Sequence, residues 1–242
     1  MNLCIDQGNS STKVAVFSGD ELIYTEQISQ SEHERIITIF ENYKIKHSIL
    51  STVTQLNDRL NEFLLRNSER YVILDHLTSL PIINHYKTPE TLGKDRLAAV
   101  VGAVSLLPET DILVVDAGTA ITYDFIDASG VYHGGNIAPG LSLRAKSLFE
   151  FTQNLPLVEI VPDIVELMGN DTYSAIQAGV LYGVVFEIDG YVERLMLKYP
   201  KLSVFLTGGS SIYFENRLKN RIFANKNLVL IGLNRILQNN VQ

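Results

Sequence analysis

Three short stretches hold most of the residue types that handle phosphate and protons. Asp6-Gln7-Gly8-Asn9-Ser10-Ser11-Thr12-Lys13 combines a carboxylate, a glycine, a run of short hydrogen-bonding side chains and an ammonium. Glycine lets a backbone approach a ligand closely, hydroxyl and amide groups bond its oxygens, and lysine offsets its charge. Such a turn suits phosphate, and Asp6 is placed to hold a hard cation that travels with it. A plain hairpin with a polar tip has the same composition, so this stretch alone decides nothing. Gly93-Lys94-Asp95-Arg96 is the second candidate. Near a helix start it would meet backbone N–H groups and the positive end of the dipole, which favour an anionic ligand or reacting group beside Asp95 and Arg96. Three solvated charges on a helix face are the ordinary alternative. The third is Asp116-Ala117-Gly118-Thr119-Ala120-Ile121-Thr122, which repeats the first Asp for Asp and Gly for Gly, with small residues after.

The elements around these stretches alternate. Apolar runs at Leu3 to Ile5 and Val14 to Phe17 make the first stretch a strand, a polar turn and a strand, and Glu21 to Ile28 alternates like a third. Ser31 and Glu34 have capping-box spacing ahead of Ile36, Ile37, Ile39 and Phe40, which predicts a helix. Ser48 to Ser51 reads as a strand, Leu56, Leu60, Phe63 and Leu64 as one helix face, and Tyr71 to Leu74 as another strand. This order predicts an α/β fold: parallel strands with helices on the sheet faces. Pro81 to Pro89 is a loop, and from Pro89 a helix is expected to run to about Leu107, before Pro108.

The repeat at Asp116 lies between two apolar strands, as the first does, and divides the chain nearly in half. Two similar domains, 1–110 and 111–242, are therefore expected, each giving one Asp-X-Gly turn to a cleft between them. Farther on, Gly134-Gly135 indicates either close backbone approach or a turn, and Pro139-Gly140 precedes a helix from Leu141. The stretch 151–167 reads as a loop with a short helix. Asn170-Asp171-Thr172 is an N-cap cluster for a long helix carrying Ile176, Val180, Val184 and Ile188. Lys201 to Leu206 reads as a strand, Thr207-Gly208-Gly209-Ser210 as a glycine turn into a helix, and Leu228 to Ile231 as a last strand before the C-terminal helix.

Composition removes several classes. The chain has 242 residues, a net charge of -7 and no dominant cluster of Lys and Arg, so nucleic acid and anionic membrane have little electrostatic footing. The apolar stretch Leu97 to Leu107 is too short for a membrane span, and Asp6 falls where a signal peptide would need apolar residues, so a cytoplasmic protein is expected. The single cysteine, Cys4, excludes an internal disulfide and fits a small buried hydrophobe.

The doubled Asp-X-Gly hairpin resembles the phosphate-gripping motifs of the acetate kinase, sugar kinase, Hsp70 and actin superfamily. More narrowly the chain resembles type III pantothenate kinases. The resemblance is carried by Asp6-X-Gly8-Asn9-Ser10-X-X-Lys13, Tyr86 before Thr88-Pro89-Glu90, Gly93-X-Asp95-Arg96, and Asp116-X-Gly118-Thr119-Ala120. Gly134-Gly135 with Pro139-Gly140, Thr172 with Ala175-Ile176-Gln177-X-Gly179, and Thr207-Gly208-Gly209 complete it. It implies two ribonuclease H-like (actin-like ATPase) domains and transfer of the ATP γ-phosphate to the primary hydroxyl of pantothenate. It also implies a homodimer, magnesium, and a monovalent cation, potassium or ammonium. Residue by residue, it puts Asp6 to Lys13 and Thr119 on ATP, makes Asp95 the general base, and gives Asp116 the monovalent cation. Tyr86, Gly93, Lys94, Asp95, Arg96 and Thr172 fall to pantothenate. Ser210 stands where Asp commonly follows the two glycines, which weakens an adenosine contact there. Two rival readings accompany this one: a kinase for another small hydroxy compound, and a non-catalytic accessory member of the family.

Overall fold

The computed structural model describes residues 1–8, 11–29, 32–54, 57–162 and 165–241. Two compact units emerge from the contacts within the chain. The first comprises Met1–Pro108, Gly130–Tyr132 and the segment from Asn227; the second comprises Glu109–Ser129 and His133–Lys226.

The first unit opens with the meander β1 (Asn2–Gln7), β2 (Thr12–Ser18) and β3 (Glu21–Ile28), all antiparallel neighbours. Helix α1 (His33–Asn42), β4 (His47–Thr52), α2 (Asp58–Asn67) and β5 (Arg70–Ile73) follow, and β4 and β5 join the sheet in parallel. The strand order is β3-β2-β1-β4-β5. Side chains alternate along β1. Leu3 and Ile5 pack with Ile36, Ile39, Leu60 and Leu64 of α1 and α2, so Asn2, Cys4 and Asp6 share the other face. Cys4 is fully buried there. Helix α1 has Glu32 at its N-cap, and the Glu32 carboxylate accepts from Ser29 N–H at 2.8 Å. Ser31 of the expected capping box and Leu56 of the expected α2 face lie outside the described residues.

A two-residue strand, β6 (Ile83–Asn84), pairs with Val131 and Tyr132 inside the expected loop. The helix expected from Pro89 is split. Pro89–Thr91 is a 3-10 turn, Leu92 and Gly93 are extended, and α3 (Lys94–Leu106) begins with Gly93 as its N-cap. The helix therefore starts about one turn later than the sequence implies, and Asp95 accepts the Arg96 N–H at 2.9 Å, one of the first-turn N–H groups that have no intrahelical acceptor.

The second unit repeats the first. Strands β7 (Ile112–Ala117) and β8 (Ala120–Ile126) form a hairpin, and β9 (Val131–Pro139) follows β8 in the sheet. After α4 (Leu141–Phe151) and α5 (Thr172–Met196), β10 (Ser203–Thr207) joins β7 and β11 (Phe223–Ala224) joins β10, both in parallel. The order β9-β8-β7-β10-β11 thus matches that of the first sheet, with β6 added beyond β9 as a sixth strand. Asp171 caps α5 in a capping box with Ser174, and Ile176, Val180, Val184 and Ile188 are buried as expected. Helix α5 is long and apolar enough to cross a membrane, but half of its apolar window is buried within the protein, as in a core helix.

Three expectations fail in this half. The described residues of 152–167 contain no helix. After Gly208-Gly209 the chain makes only a 3-10 turn, Ser211–Tyr213. The following backbone is held instead by Asp189, which accepts from Lys219 N at 3.3 Å and Asn220 Nδ2 at 2.8 Å. The run Leu228 to Ile231 is not a strand but the first turn of α6 (Leu228–Asn240). That helix packs against α3 and lies on β1, β2 and β4, so the chain's last element belongs to the first unit although it follows the second Asp-X-Gly copy.

Candidate functional site

In the first unit the candidate residues gather at the C-terminal end of β1. Asp6 stands opposite Lys13 on β2 and Ser51 on β4. The turn is closed by Gly8 N–H to Ser11 O at 3.1 Å, and Ser11 Oγ accepts from Gln27 Nε2 at 2.8 Å. Gln7 and Thr12 are buried. Asn9 and Ser10, also expected to grip phosphate, lie outside the described residues. The first turn of α3 brings Asp95 toward this end. Burial and the charge of Asp95, opposed by Lys13, push the Asp6 carboxyl up to about 6. Two carboxylates converging on one polar turn are short of positive charge, which an incoming cation would supply.

Around them, Lys94 Nζ donates to Thr52 O at 3.3 Å. Gly93 has the close approach its residue type allows: a Cβ there would lie 2.6 Å from Asp95 Oδ1. Arg96 is buried, with its guanidinium carbon 5.6 Å from the centre of the Tyr86 ring. Tyr86 is itself fixed by stacking on Tyr132 at 6.2 Å and by donating its N–H to Asn84 Oδ1 at 2.9 Å. Asp6, Lys13, Gly93, Lys94, Asp95 and Arg96, chosen for their types, and Tyr86, which the resemblance implies, are therefore all in one unit.

In the second unit Asp116 ends β7 as Asp6 ends β1, between Thr122 on β8 and Thr207 on β10. Glycines let backbone crowd this turn. Gly208 has φ +93°, and a Cβ on it would lie 2.5 Å from Asp116 Oδ1. Gly140 N–H donates to Thr119 O at 3.0 Å, and its missing Cβ would collide with the carbonyl oxygen of Gly118. Gly135 is equally close to Tyr123 O, which decides for close approach over a simple turn. Thr172 lies elsewhere in the unit, at the first turn of α5. It lines a cavity of about 520 Å³ with Arg144, Leu148, Leu155 and Ile176.

Residue types alone missed a supporting layer. Arg144 Nε donates to Pro139 O at 2.8 Å and its terminal nitrogen to Glu187 Oε2 at 2.6 Å, while Tyr123 OH donates to Glu187 Oε1 at 2.8 Å. This chain anchors Pro139-Gly140 behind the Asp116 turn. The buried Thr122 hydroxyl oxygen, next to Asp116 by register, has no hydrogen-bond partner among the described residues, while the buried Ser51 hydroxyl, next to Asp6, favours the charged form of that carboxylate. Only their place beside the two aspartates, which strand pairing reveals, sets them apart from other small polar residues. Among the described residues no three His, Cys, Asp or Glu converge as a metal site, so a magnesium ion here would depend mainly on phosphate and water for ligands.

A family model described as type III pantothenate kinase matches residues 2–194. The type III pantothenate kinase of Bacteroides fragilis strain YCH46 is 48% identical over 243 residues, spanning 99% of this chain and 98% of that one. Among solved structures, the ROK hexokinase from Thermus thermophilus superposes with a TM-score of 0.56 at 14% identity, covering 99% of both chains. MreB5 of Spiroplasma citri bound to ADP gives 0.51 at 12% identity, covering 96% of this chain and 94% of its own. These two likenesses concern the fold, which is that of actin-like ATPases and ROK kinases: two mixed sheets flanked by helices.

Proposed function

Because the chain belongs to the type III pantothenate kinase family, we propose that it transfers the γ-phosphate of ATP to the primary hydroxyl of pantothenate, giving 4'-phosphopantothenate, the first step toward coenzyme A. The observation that carries this reading is the meeting, in one unit, of the Asp6–Lys13 turn with Asp95 at the start of α3.

The Asp6 to Lys13 turn and Thr119 hold ATP. Arg96, stiffened by Tyr86, offers a planar fork to the pantothenate carboxylate, with Gly93, Lys94 and Thr172 completing the substrate contacts. Asp95 accepts the hydroxyl proton as the new O–P bond forms and the bond from Pγ to the bridging oxygen breaks, leaving ADP. Phosphoryl transfer depends chiefly on alignment and charge stabilisation, so the base acts late and need not be strong. The Asp6 and Asp95 carboxylates would hold magnesium together with the phosphates, and the ion would supply positive charge there. Asp116 holds the monovalent cation, potassium or ammonium. A cytoplasmic homodimer is part of the same proposal.

The test is pantothenate-dependent ADP formation, expected to rise when potassium or ammonium is added. Asp95→Asn should lose activity on the order of 10²-fold or more while still binding ATP. Full activity in that variant would remove Asp95 from the chemistry. ADP formation with another hydroxy compound but not with pantothenate would reassign the substrate.

A further inference from the structure

The two hairpins place different side chains against their aspartates. Asp6 is directly opposite Lys13, whereas Asp116 is directly opposite Thr122. Directly opposed residues of an antiparallel pair lie on the same face within reach of one another. Counting forward from each aspartate would match Thr122 with Thr12 instead. Strand pairing corrects this, because residues 8–11 separate the paired Gln7 and Thr12 while only 118–120 separate the paired Ala117 and Ile121. Lys13 and Thr122 are thus equivalent positions. At the first, the chain supplies a lysine whose positive charge favours the ionised carboxylate. At the second, the same place holds a hydroxyl whose oxygen is buried and has no hydrogen-bond partner among the described residues. Gly208 keeps the opposite side of Asp116 clear, since a Cβ there would lie 2.5 Å from Oδ1.

A large monovalent cation exchanges its hydration shell for uncharged oxygens as readily as for charged ones. Ammonium donates to the same atoms. We infer that Thr122 Oγ1 is a direct ligand of the monovalent cation at Asp116, and that this cation plays toward Asp116 the part that the Lys13 charge plays toward Asp6. The inference rests on the assignment of Asp116 to that cation. It explains why a monovalent cation belongs to the Asp116 copy of the motif and not to the Asp6 copy, where a lysine stands at the equivalent position.

Thermal unfolding of the full chain in potassium chloride and in choline chloride of equal ionic strength tests it without relying on turnover. At ten times the dissociation constant, potassium should raise the wild-type midpoint by about 4 °C. Thr122→Val keeps the shape and removes the oxygen. It should be at least as stable as wild type in choline, because a partnerless hydroxyl is lost, while its potassium shift falls to about 1 °C through a roughly tenfold weaker site. A Thr122→Lys protein that folds should show no potassium shift and no potassium requirement for activity. A full potassium shift in Thr122→Val, lower stability of that variant in choline, or a potassium shift retained by a folded Thr122→Lys would each overturn the role of Thr122. A wild-type protein with no potassium-specific shift would instead remove the cation from Asp116 itself.

Discussion

Asp6 is held in a state that opposes its charge. Burial first and the Asp95 carboxylate second push its carboxyl up to about 6, against the relief given by Lys13. A carboxyl whose value rises on folding favours the folded state while protonated; that contribution is complete below about pH 4 and lost as pH rises through 6. Asp6→Asn cannot ionise and should escape the loss. Without nucleotide, wild-type protein should therefore fall behind the variant by up to about 3 kcal/mol of unfolding free energy between about pH 4 and pH 7, although the variant is expected to lose kinase activity. Urea unfolding of both proteins across that range measures the difference, and parallel curves would mean that Asp6 ionises normally. Asp6, Lys13, Asp95, Arg96 and Asp116 could be singled out from the sequence because each is a charged residue in a short stretch that also carries a glycine. Ser51 and Thr122 could not, because their meaning lies in strand register. Arg144 and Glu187 could not, because they are 43 residues apart and meet only when α4 packs on α5.

Helix α3 carries Asp95 and Arg96, and its setting is fixed by a backbone-to-backbone crossing with α6. A Cβ on Gly232 would collide with Ala98 O, and one on Gly102 with Leu228 O. Gly232→Ala must push the helices apart and should cost about 1–3 kcal/mol, as overpacking does. Gly190→Ala, in α5 with nothing described within 4 Å of the added carbon, should instead gain about 0.5–1 kcal/mol. The two urea midpoints are expected to move in opposite directions; a neutral Gly232→Ala would refute the close crossing. The same contact explains the misread run at Leu228 to Ile231. Buried between α3 on one side and the sheet on the other, α6 has too little polar surface to show a helical stripe, and a short apolar run then looks like a strand. Amphipathic α2, and α5 with its capping box and four-residue apolar spacing, were readable.

The two units share one strand order, and the first depends on the last helix of the chain. Asn234 of α6 donates to Gly19 O at 2.9 Å and accepts from Asn2 Nδ2 at 2.9 Å, tying the N-terminal hairpin to the C-terminal helix. The doubled architecture was legible from two Asp-X-Gly copies with flanking strands, but the return of the C-terminus was not, since nothing local in 227–241 marks which sheet it covers. Asn234→Ala would leave the buried Asn2 amide without its partner, at a cost of about 1–3 kcal/mol, while Gly19 O keeps its bond from Gln238 Nε2 at 3.1 Å. Alternation places Cys4 on the same face of β1 as Asn2, fully buried beneath α6. If α6 is what covers that face, loosening it should expose the thiol, and modification of Cys4 by a thiol reagent should be at least tenfold faster in Asn234→Ala under native conditions. An unchanged rate would mean that Cys4 is protected by something other than α6. A faster one would show that β1, which carries Asp6, is kept closed by a helix more than 200 residues away in sequence, so that the Asp6 turn depends on α6 for its setting.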